Sequence, residues 1–583
     1  MRKIVLFAAA ILLCASAYLM SDRSEGAEPA YSGSCGTGVT YEFDPETGSL
    51  AIGGSGAMDD FDSGAEAPWN QFSDSILSVT VGDSVTSVGN IAFARYASLA
   101  TVTLGNSVAT IGGMAFSGCP IGSIVLPDSV TTVREYAFFR CESLGSVSLG
   151  DSVRTIGELA FSGCSSLKNI ALPDSVETIG EGAFHRTGLT SIDVGEGNTA
   201  YSSIGGVLFN GNGTELLLYP AARTDASYII PDSVETIGEG AFPESKSLVS
   251  VTFPASVRTI GGYAFQDCIS LESVNVPDTV TSIGNYAFYG CESLVSADIG
   301  DGVSSVGNWM FDRCTALESA VLGDSVSEVS DYMFNSCTSL RSVTLGKSVE
   351  SIGVGAFEDC TSLETIDIPS GTDDIEDYAF RGCVSLESIC IPDAVEFIGE
   401  QAFSGCTSLT SIGVGGSNFK YRSIDGALFT NDRSRLMQYP AGKPADSYTV
   451  PDSVREIEQK AFAGCAYLES VTISDSVESI GSGAFAGCAS LAAMHFGKSV
   501  SSIEDDSFGT IEFYDGDGKK ITEASGLAGK TFSIADGTMK NEGAGTDTDD
   551  PDSPIVITAV AAAIIVIAAA VCIAAGMMRR KSA

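Results

Sequence analysis

The stretch "TVTSIGNYAFYGCESLVSADIGD", residues 279–301, decides the fold because residues 302–324, "GVSSVGNWMFDRCTALESAVLGD", repeat its pattern. The pair "AF" or "MF" marks each copy along the chain. The sixteen phenylalanines of these pairs are Phe93, Phe116, Phe138, Phe161, Phe184, Phe242, Phe265, Phe288, Phe311, Phe334, Phe357, Phe380, Phe403, Phe462, Phe485 and Phe508. They recur every 23 residues, once after 22, with two long steps of 58 and 59. Such a constant period is typical of a solenoid.

Each copy predicts two short strands and a turn. "S-V-x-L" has the alternation of a half-buried strand, and "V-x-x-I-G" is a short extended piece that bends at its glycine. "A-F-x-G-C" then turns the chain back. A single coil cannot bury a core, so coils must stack and bury their Val, Ile, Leu and Phe columns against one another. We expect about sixteen coils with a parallel β-sheet on one face, at a spacing of about 4.8 Å.

The pattern C-x-S-L-x-S-V-x-L-P followed by I-G-x-x-A-F resembles the BspA-type leucine-rich repeats of microbial surface proteins. The resemblance covers residues 76 to about 508. Upstream, "CGTGVTYEFDPETGSLAIGGSGAMDDF" is similar to the β-rich segment that often precedes these repeats. The resemblance implies a leucine-rich repeat solenoid and a role in surface adhesion or in binding proteins or other cells, rather than catalysis.

The two long steps contain related inserts. "YSSIGGVLFNGNGTELLLYP" at residues 201–220 matches "YRSIDGALFTNDRSRLMQYP" at residues 421–440. Each predicts a β-hairpin with a Gly/Asn/Asp turn. Tyr219 and Tyr439 are either ligand-binding aromatics or packing residues, and their recurrence in both inserts favours packing against the solenoid.

Both ends of the chain carry apolar segments. Arg2 and Lys3 precede an apolar run, which predicts a signal peptide over 1–27, with an uncleaved anchor as the alternative. Residues 555–576 lack charge and precede Arg579, Arg580 and Lys581. We expect a single transmembrane helix over 555–578 and a cytoplasmic tail over 579–583. The predicted location is therefore the cell membrane, with one span, the body outside and the C-terminus in the cytoplasm.

The remaining boundaries follow from the repeat frame. We expect an N-terminal β-rich cap over 28–75 and the solenoid over 76–508, with inserts near 198–228 and 418–448. A C-terminal β cap over 509–535 would cover the open end of the solenoid. Residues 536–554 are acidic and poor in apolar side chains, which predicts a stalk.

The body of the protein is strongly acidic. Between the two apolar segments lie 74 acidic and 26 basic residues. Such a surface repels nucleic acid and anionic membranes and favours cations or basic partners. We therefore predict no nucleic-acid partner.

The sequence offers little chemistry for an enzyme. The only two histidines, His185 and His495, lie many coils apart. There is no phosphate loop, no H-E-x-x-H and no dinucleotide fingerprint. We predict no catalytic residues, no metal site and no cofactor. An envelope glycosidase is the enzymatic alternative, which would need a carboxylate pair in a cleft.

Twelve cysteines occupy one frame position, three residues after the phenylalanine. They are Cys119, Cys141, Cys164, Cys268, Cys291, Cys314, Cys337, Cys360, Cys383, Cys406, Cys465 and Cys488. Their parallel Cβ directions oppose disulfide geometry, and a single column does not supply the tight ligand pairs of a metal site. We predict a buried ladder of reduced thiols. Cys390 follows the inward Ile389, so it should face solvent and react with a thiol reagent.

The outward face of the "S-V-x-L" strands is the candidate binding surface. One outward column is nearly all serine, and the next is mixed, as a recognition surface or an unconstrained solvent position would be. The candidate partner-binding residues in the mixed column are Asn275, Asp298, Thr344, Asp367, Cys390, Thr472 and His495. The column lacks the aromatic and arginine anchors of strong interfaces, so many repeats would have to act together.

These observations favour a membrane-anchored cell-surface protein that mediates adhesion through its solenoid, with extracellular proteins or glycans as partners. The alternative is a structural or shielding component of the cell envelope whose acidic face binds divalent cations.

Overall fold

The computed structural model describes residues 31–504, 506–509, 511–514, 520–522, 524–535 and 538–541. The segments predicted as signal peptide, transmembrane helix and cytoplasmic tail lie outside these residues, as does most of the predicted stalk. Within the described ranges, no helix is long and apolar enough to cross a membrane.

The described chain is a β-solenoid with two rows of parallel strands. We call the first the long-strand row, which contains the "S-V-x-L" segments paired in register, with serine opposite serine in most turns. Its strands are Ser49–Gly54, Ser78–Val81, Thr101–Thr103, Ser123–Val125, Ser146–Ser148, Asn169–Leu172, Ser191–Val194, Ser227–Ile229, Ser250–Thr252, Ser273–Val276, Ser296–Ile299, Ser319–Leu322, Ser342–Thr344, Ser388–Ile391, Ser411–Val414, Ser447–Thr449, Ser470–Thr472 and Ala493–His495.

The short-strand row contains the "x-I-G" segments, most of them two residues long. Its strands are Gly56–Ala57, Val85–Val88, Thr110–Ile111, Thr132–Val133, Thr155–Ile156, Thr178–Ile179, Glu215–Leu218, Thr236–Ile237, Thr259–Ile260, Ser282–Ile283, Ser305–Val306, Glu328–Val329, Ser351–Ile352, Asp374–Ile375, Phe397–Ile398, Arg435–Gln438, Glu456–Ile457, Ser479–Ile480 and Ser502–Ile503. Their isoleucine or valine points into the core, as the alternation predicted.

Within the residues that the structure describes, the solenoid has about nineteen turns, so the expected number of sixteen was too low. Three turns lack the phenylalanine that frames the others, and Trp69, Tyr219 and Tyr439 take its place. Their rings stack on the phenylalanine of the following turn at centroid distances of 5.2, 5.0 and 5.2 Å. We call the resulting column of buried rings the inner ring ladder. Tyr219 and Tyr439 are both 1% exposed, which confirms the packing interpretation.

Each insert supplies one of these additional turns. In the first, Tyr201–Ile204, Val207–Asn210 and Glu215–Leu218 form an antiparallel meander whose last strand joins the short-strand row beside Thr236–Ile237. The second insert does the same with Tyr421–Ile424, Ala427–Thr430 and Arg435–Gln438. The predicted hairpins are therefore parts of larger, three-stranded units.

Each insert also provides a hydrogen-bond partner for the short strand that precedes it. The hydroxyl oxygen of Tyr201 accepts a hydrogen bond of 2.8 Å from the backbone N–H of Ile179, on the preceding short strand. Tyr421 does the same for Ile398, at 2.9 Å. A side-chain oxygen thus satisfies a backbone donor that the interrupted sheet would otherwise leave unpaired.

The turn around each phenylalanine has an unusual backbone. The residues two before and two after the phenylalanine have positive φ, for example Tyr286 at 56° and Gly290 at 68°. Because positive and negative φ values alternate, every second backbone N–H points toward the next turn. Phe116 N–H donates to the carbonyl of Ala137 at 2.9 Å, and Gly118 N–H to that of Phe139 at 2.7 Å. The turns are therefore hydrogen-bonded to one another like the strands.

The cysteine column completes this network. Each of eleven ladder thiols donates to the carbonyl oxygen of the phenylalanine one turn earlier, as Cys314 does to Phe288 at 3.2 Å. All twelve are buried and free, as predicted. Burial raises the pKa of Cys119, Cys164 and Cys406 to about 12, so these thiols stay protonated at neutral pH.

Both ends of the solenoid are covered by additional strands. Ser32–Gly36 and Val39–Asp44 form an antiparallel hairpin on Ser49–Gly54, followed by the short 3-10 helices Gly64–Glu66 and Asn70–Phe72. At the other end, Ala493–His495 pairs antiparallel with Thr531–Ala535. The remaining elements of this end are Phe513–Tyr514, the helix Ala524–Leu527 and Thr538–Asn541. The strand at Thr538–Asn541 lies beyond the expected cap boundary at 535.

Candidate interaction surface

The outward column of the long-strand row contains the residues predicted to bind a partner. Asn275 is the register partner of Asp298, and Val321 links Asp298 to Thr344 across the same sheet. The side chains of Asn275, Asp298 and Thr344 are exposed. Three of the predicted residues therefore present polar side chains on one continuous surface.

The other predicted residues lie on separate sheets. Cys390 is exposed and pairs with Gly413 in a two-stranded sheet. Thr472 and His495 are register partners in the last sheet of the row. The seven residues therefore lie along one side of the solenoid without forming a single patch.

Three of the seven depart from the expectation, and one of them, Thr472, is only half-exposed. Asp367 is exposed, but residues 363–369 form no strand, so its assignment to a strand is wrong. His495 is only half-exposed because the C-terminal strand covers that edge. Its Nδ1 lies 2.8 Å from the hydroxyl oxygen of Thr531. This contact explains His495 as a residue that holds the cap.

A different surface stands out in the turns. Tyr263, Tyr286, Trp309 and Tyr332 each lie two residues before a phenylalanine of the inner ring ladder, in four consecutive turns. Their rings stack at centroid distances of 4.9, 5.1 and 5.4 Å, with interplanar angles of 8°, 3° and 6°. We call these four residues the outer aromatic row. Tyr263 is 39% exposed, and the other three are half-buried.

The backbone of the row is strained. All four residues have φ between 54° and 56°. Bulky side chains rarely adopt this region, since Cβ approaches the following carbonyl oxygen, at a cost of about 1–2 kcal/mol per residue. Glycine occupies the same frame position in other turns, at Gly182, Gly240, Gly355 and Gly483. Ile91, Met114 and Leu159 also adopt the same positive φ at this position, so the turn accepts glycine and several other side chains and does not require an aromatic residue.

Because the rings stack face to face, their edges remain available for contact with a partner. The hydroxyls of Tyr263, Tyr286 and Tyr332 and the indole N–H of Trp309 have no hydrogen-bond partner within the described part of the chain. Amphipathic rings with free polar edges are typical anchors of interfaces.

Charged groups flank the row. Tyr289 contacts Tyr286 edge to face, and the Arg313 guanidinium lies 5.7 Å from the centre of the Tyr289 ring. On the same side, burial raises the pKa of the Asp312 carboxyl, which accepts a hydrogen bond of 2.9 Å from Asn335. Burial and the nearby carboxylates of Glu358 and Asp331 also raise the pKa of Tyr332. The row therefore combines apolar contact area, neutral hydroxyls and both signs of charge.

The signal for the row was present in the sequence. The repeats read "GGYAF", "GNYAF", "GNWMF" and "SDYMF" at residues 261–265, 284–288, 307–311 and 330–334. The predicted binding surface was the outward strand face alone. The position directly before the Ala-Phe or Met-Phe pair forms a further column, which that prediction left out.

No cluster of three or more His, Cys, Asp or Glu residues in the described ranges has the arrangement of a metal site. His185 lies in the turn of the fifth Ala-Phe pair, and His495 lies on the last strand of the long-strand row, so the two histidines are many turns apart.

Comparison with known sequences identifies the repeat. The family model described as "BspA type Leucine rich repeat region (6 copies)" matches residues 70–190, 224–341, 327–443 and 441–514. The chain belongs to the BspA-type leucine-rich repeat family. The resemblance predicted from the repeat pattern is thereby confirmed. No curated protein matches the chain.

The chain is also similar to solved structures of leucine-rich repeat proteins. A leucine-rich repeat protein from Eubacterium ventriosum is 28% identical, with a TM-score of 0.52, over 66% of this chain and 98% of its own. A leucine rich cell surface protein from Faecalibacterium prausnitzii is 31% identical, with a TM-score of 0.43, over 54% of this chain and 88% of its own. Leucine-rich repeat proteins are not typically enzymes.

Proposed function

We propose that this BspA-type protein is a cell-surface binding protein. It would attach to extracellular proteins or glycans through the outside of its solenoid and be held at the membrane by its C-terminal apolar segment. The outer aromatic row is the observation that carries the proposal. Four aromatic residues stack in consecutive turns at a frame position that other turns fill with glycine or with non-aromatic side chains, and they leave their polar edges unpaired.

Several features support this reading. The family contains bacterial surface proteins, and one similar structure is described as a cell surface protein. The outward long-strand column offers a second, polar contact area on the same solenoid. Its side chains are small, so the aromatic row would supply the larger contribution to the binding free energy.

The proposal is tested with the purified chain immobilised against panels of extracellular proteins and glycans. A variant with glycine at all four positions of the outer aromatic row should keep its fold, because glycine occurs there naturally. We expect this variant to lose at least tenfold in affinity for any ligand that the wild type binds.

The matched control is Tyr136→Gly. Tyr136 has the same frame position and a φ of 57°, but it lies outside the row. Its substitution should leave binding unchanged. Retained binding by the four-glycine variant would overturn the assignment of the row, and loss of all binding by Tyr136→Gly would show that the effect is not specific to it.

A further inference from the structure

A cleft of about 570 Å³ opens where the first insert leaves the solenoid. Its lining includes Gly182 and Gly240 from the turns on either side of the insert, His185, Leu208 of the insert and Tyr263 of the outer aromatic row. Here the inner ring ladder runs from Trp69 to Phe184 and starts again at Tyr219. The cleft therefore lies at a junction between two stacked parts of the chain.

Two glycines line the cleft at the frame position of the outer aromatic row. Gly182 and Gly240 flank the insert, whose own residue at this position, Leu217, also lines the cleft. A Cβ atom at Gly182 would lie 2.8 Å from Leu159 Cδ2 and 3.1 Å from His185 Nδ1. A Cβ atom at Gly240 would lie 3.4 Å from His185 Nε2. The Tyr263 ring stacks on Tyr286, and Tyr263 is also part of the cleft lining.

The cleft is lined by more negative than positive charge. Glu244 is neutralised by Arg186, at 2.9 Å from its Nε, and by Lys246, at 3.6 Å from its Nζ. Glu181 and Glu239, also in the lining, have no cation within 4.0 Å in the described part of the chain.

The remaining carboxylate of the lining, Asp267, accepts a hydrogen bond of 3.2 Å from the amide of Gln266. Burial and the neighbouring Glu244 raise the pKa of the Asp267 carboxyl. Burial lowers the pKa of His185, so its imidazole is neutral at pH 7 and does not supply a compensating charge. Glu181 and Glu239 therefore line the cleft without a cation of their own, whereas Asp267 shares the positive charge of Arg186 with Glu244.

The second insert provides an internal comparison. At its junction, Gln401 and Lys460 occupy the positions of Gly182 and Gly240 and have the same positive φ, 55° and 60°. The counterparts of His185, Arg186, Glu244, Asp267 and Tyr263 are Ser404, Gly405, Gly464, Gly487 and Gly483. The second insert therefore packs on the solenoid without these charged side chains and the tyrosine of the first junction.

We propose that the cleft at the first insert binds an organic cation, an alkylammonium or guanidinium group seated against the ring of Tyr263 between Glu181, Glu239 and Asp267. An aromatic face attracts such cations, most strongly where water is excluded, and carboxylates form the stronger, charge-assisted hydrogen bonds with them. The group can be a free amine or the end of a lysine or arginine side chain of a protein. This site goes beyond the proposed attachment surface and does not require Trp309 or Tyr332.

The test is titration calorimetry of the purified full-length protein with n-butylguanidinium and n-butylammonium, and with n-butanol as the neutral probe. We expect saturable binding of the cations, weakened by salt as an interaction between charges should be, and no binding of the alcohol. Glu239→Gln combined with Asp267→Asn should weaken cation binding at least tenfold. Absence of cation binding by the wild type, or equal binding of the alcohol, would overturn the proposal.

Two controls separate this site from other effects. Glu400→Gln alters the counterpart of Glu181 at the second junction and should change nothing, whereas a loss equal to that of the cleft variant would show only a general charge effect and overturn the site. Trp309→Gly removes the centre of the outer aromatic row and should also leave cation binding intact, so this proposal and the proposed function can fail separately.

Blocked Gly-Lys-Gly and Gly-Arg-Gly peptides distinguish the two sources of the cation. Tighter binding of a peptide than of the free cation supports a protein side chain as the ligand. Tighter binding of the free cation supports a small amine or guanidine.

Discussion

Two columns of aromatic rings run side by side through the middle of the solenoid, only two residues apart in each repeat. Phe265, Phe288, Phe311 and Phe334 belong to the inner ring ladder and are fully buried. The four residues of the outer aromatic row stack at nearly the same spacing but reach solvent. The comparison shows that one period places the same kind of side chain in two physically different environments.

The two columns differ in what the fold requires. The inner position is aromatic in all the repeats and closes the hydrophobic core between turns. The outer position is strained for any residue except glycine, and it varies from Gly to Tyr, Trp, Lys and Asp along the chain. The inner column is therefore explained by stability, and the outer row is the surface proposed to contact a partner.

The largest expected effect separates the columns by stability. Phe288→Ala should lower the free energy of unfolding by about 3–5 kcal/mol, because it leaves a cavity in the core. Tyr286→Gly, two residues earlier, should change it by less than about 1 kcal/mol, since relief of the strained backbone offsets the lost stacking. Chemical denaturation of the two variants measures both values. Similar losses for both would show that the outer position is also structural.

The cysteines extend the comparison to a smaller effect. Cys314→Ala removes a buried thiol that donates to the carbonyl of Phe288, so we expect a loss of about 1–2 kcal/mol. Cys390→Ala removes an exposed side chain and should have no measurable effect on the denaturation midpoint. An equal loss for both substitutions would contradict the assignment of Cys314 to the inward hydrogen-bond network.

Chemical reactivity gives an independent test of which cysteines are buried. In the folded protein, a thiol-labelling reagent should modify Cys390 and leave Cys383 unmodified, because Cys383 is fully buried and its burial holds the pKa well above the usual thiol value. Mass spectrometry of the labelled peptides measures this difference. Labelling of both in the presence of denaturant is the control, and protection of Cys390 in the folded state would show that the strand register is wrong.

The smallest expected effect is pH-dependent and lies in the exposed turn of the second insert. The Ser434 backbone N–H and the hydroxyls of Thr430 and Ser434 donate to the carboxylate of Asp432, and they lower its pKa from 3.8 to about 2. Because the folded-state pKa is lowered, this carboxylate stabilises the fold above pH 4, and the contribution is lost as the pH falls to about 2.

Asp432→Asn should therefore reduce the loss of stability between pH 4 and pH 2 in acid-melting curves. The first insert has Asn212 at the same place, so it already lacks this dependence. An unchanged acid profile in the variant would contradict the role of the turn contacts.

Much of the fold could be predicted from the 23-residue period. The period placed the strands, the inward phenylalanines and the buried cysteines, since each recurs at one position and only stacking buries them. It also assigned Tyr219 and Tyr439 to packing. The number of turns was underestimated, because Trp69, Tyr219 and Tyr439 replace the phenylalanine by which turns were counted.

The interaction surface was harder to predict. Side-chain alternation in a strand identifies an outward face, and the predicted binding surface rested on this alternation. In the turns, the direction of a side chain depends on positive φ values that no residue type except glycine announces. The outer aromatic row and the cleft between Gly182 and Gly240 both arise from that backbone conformation, so neither could be located from the sequence pattern of the strands.

The most direct test of the account compares binding and folding in one variant, Tyr286→Gly combined with Trp309→Gly. Binding to the protein and glycan panels and the thermal melting curve are measured on the same preparation of the purified chain. The account predicts a loss of binding of at least tenfold with a melting temperature close to that of the wild type. Unchanged binding, or a fall in melting temperature as large as that of Phe288→Ala, would contradict it.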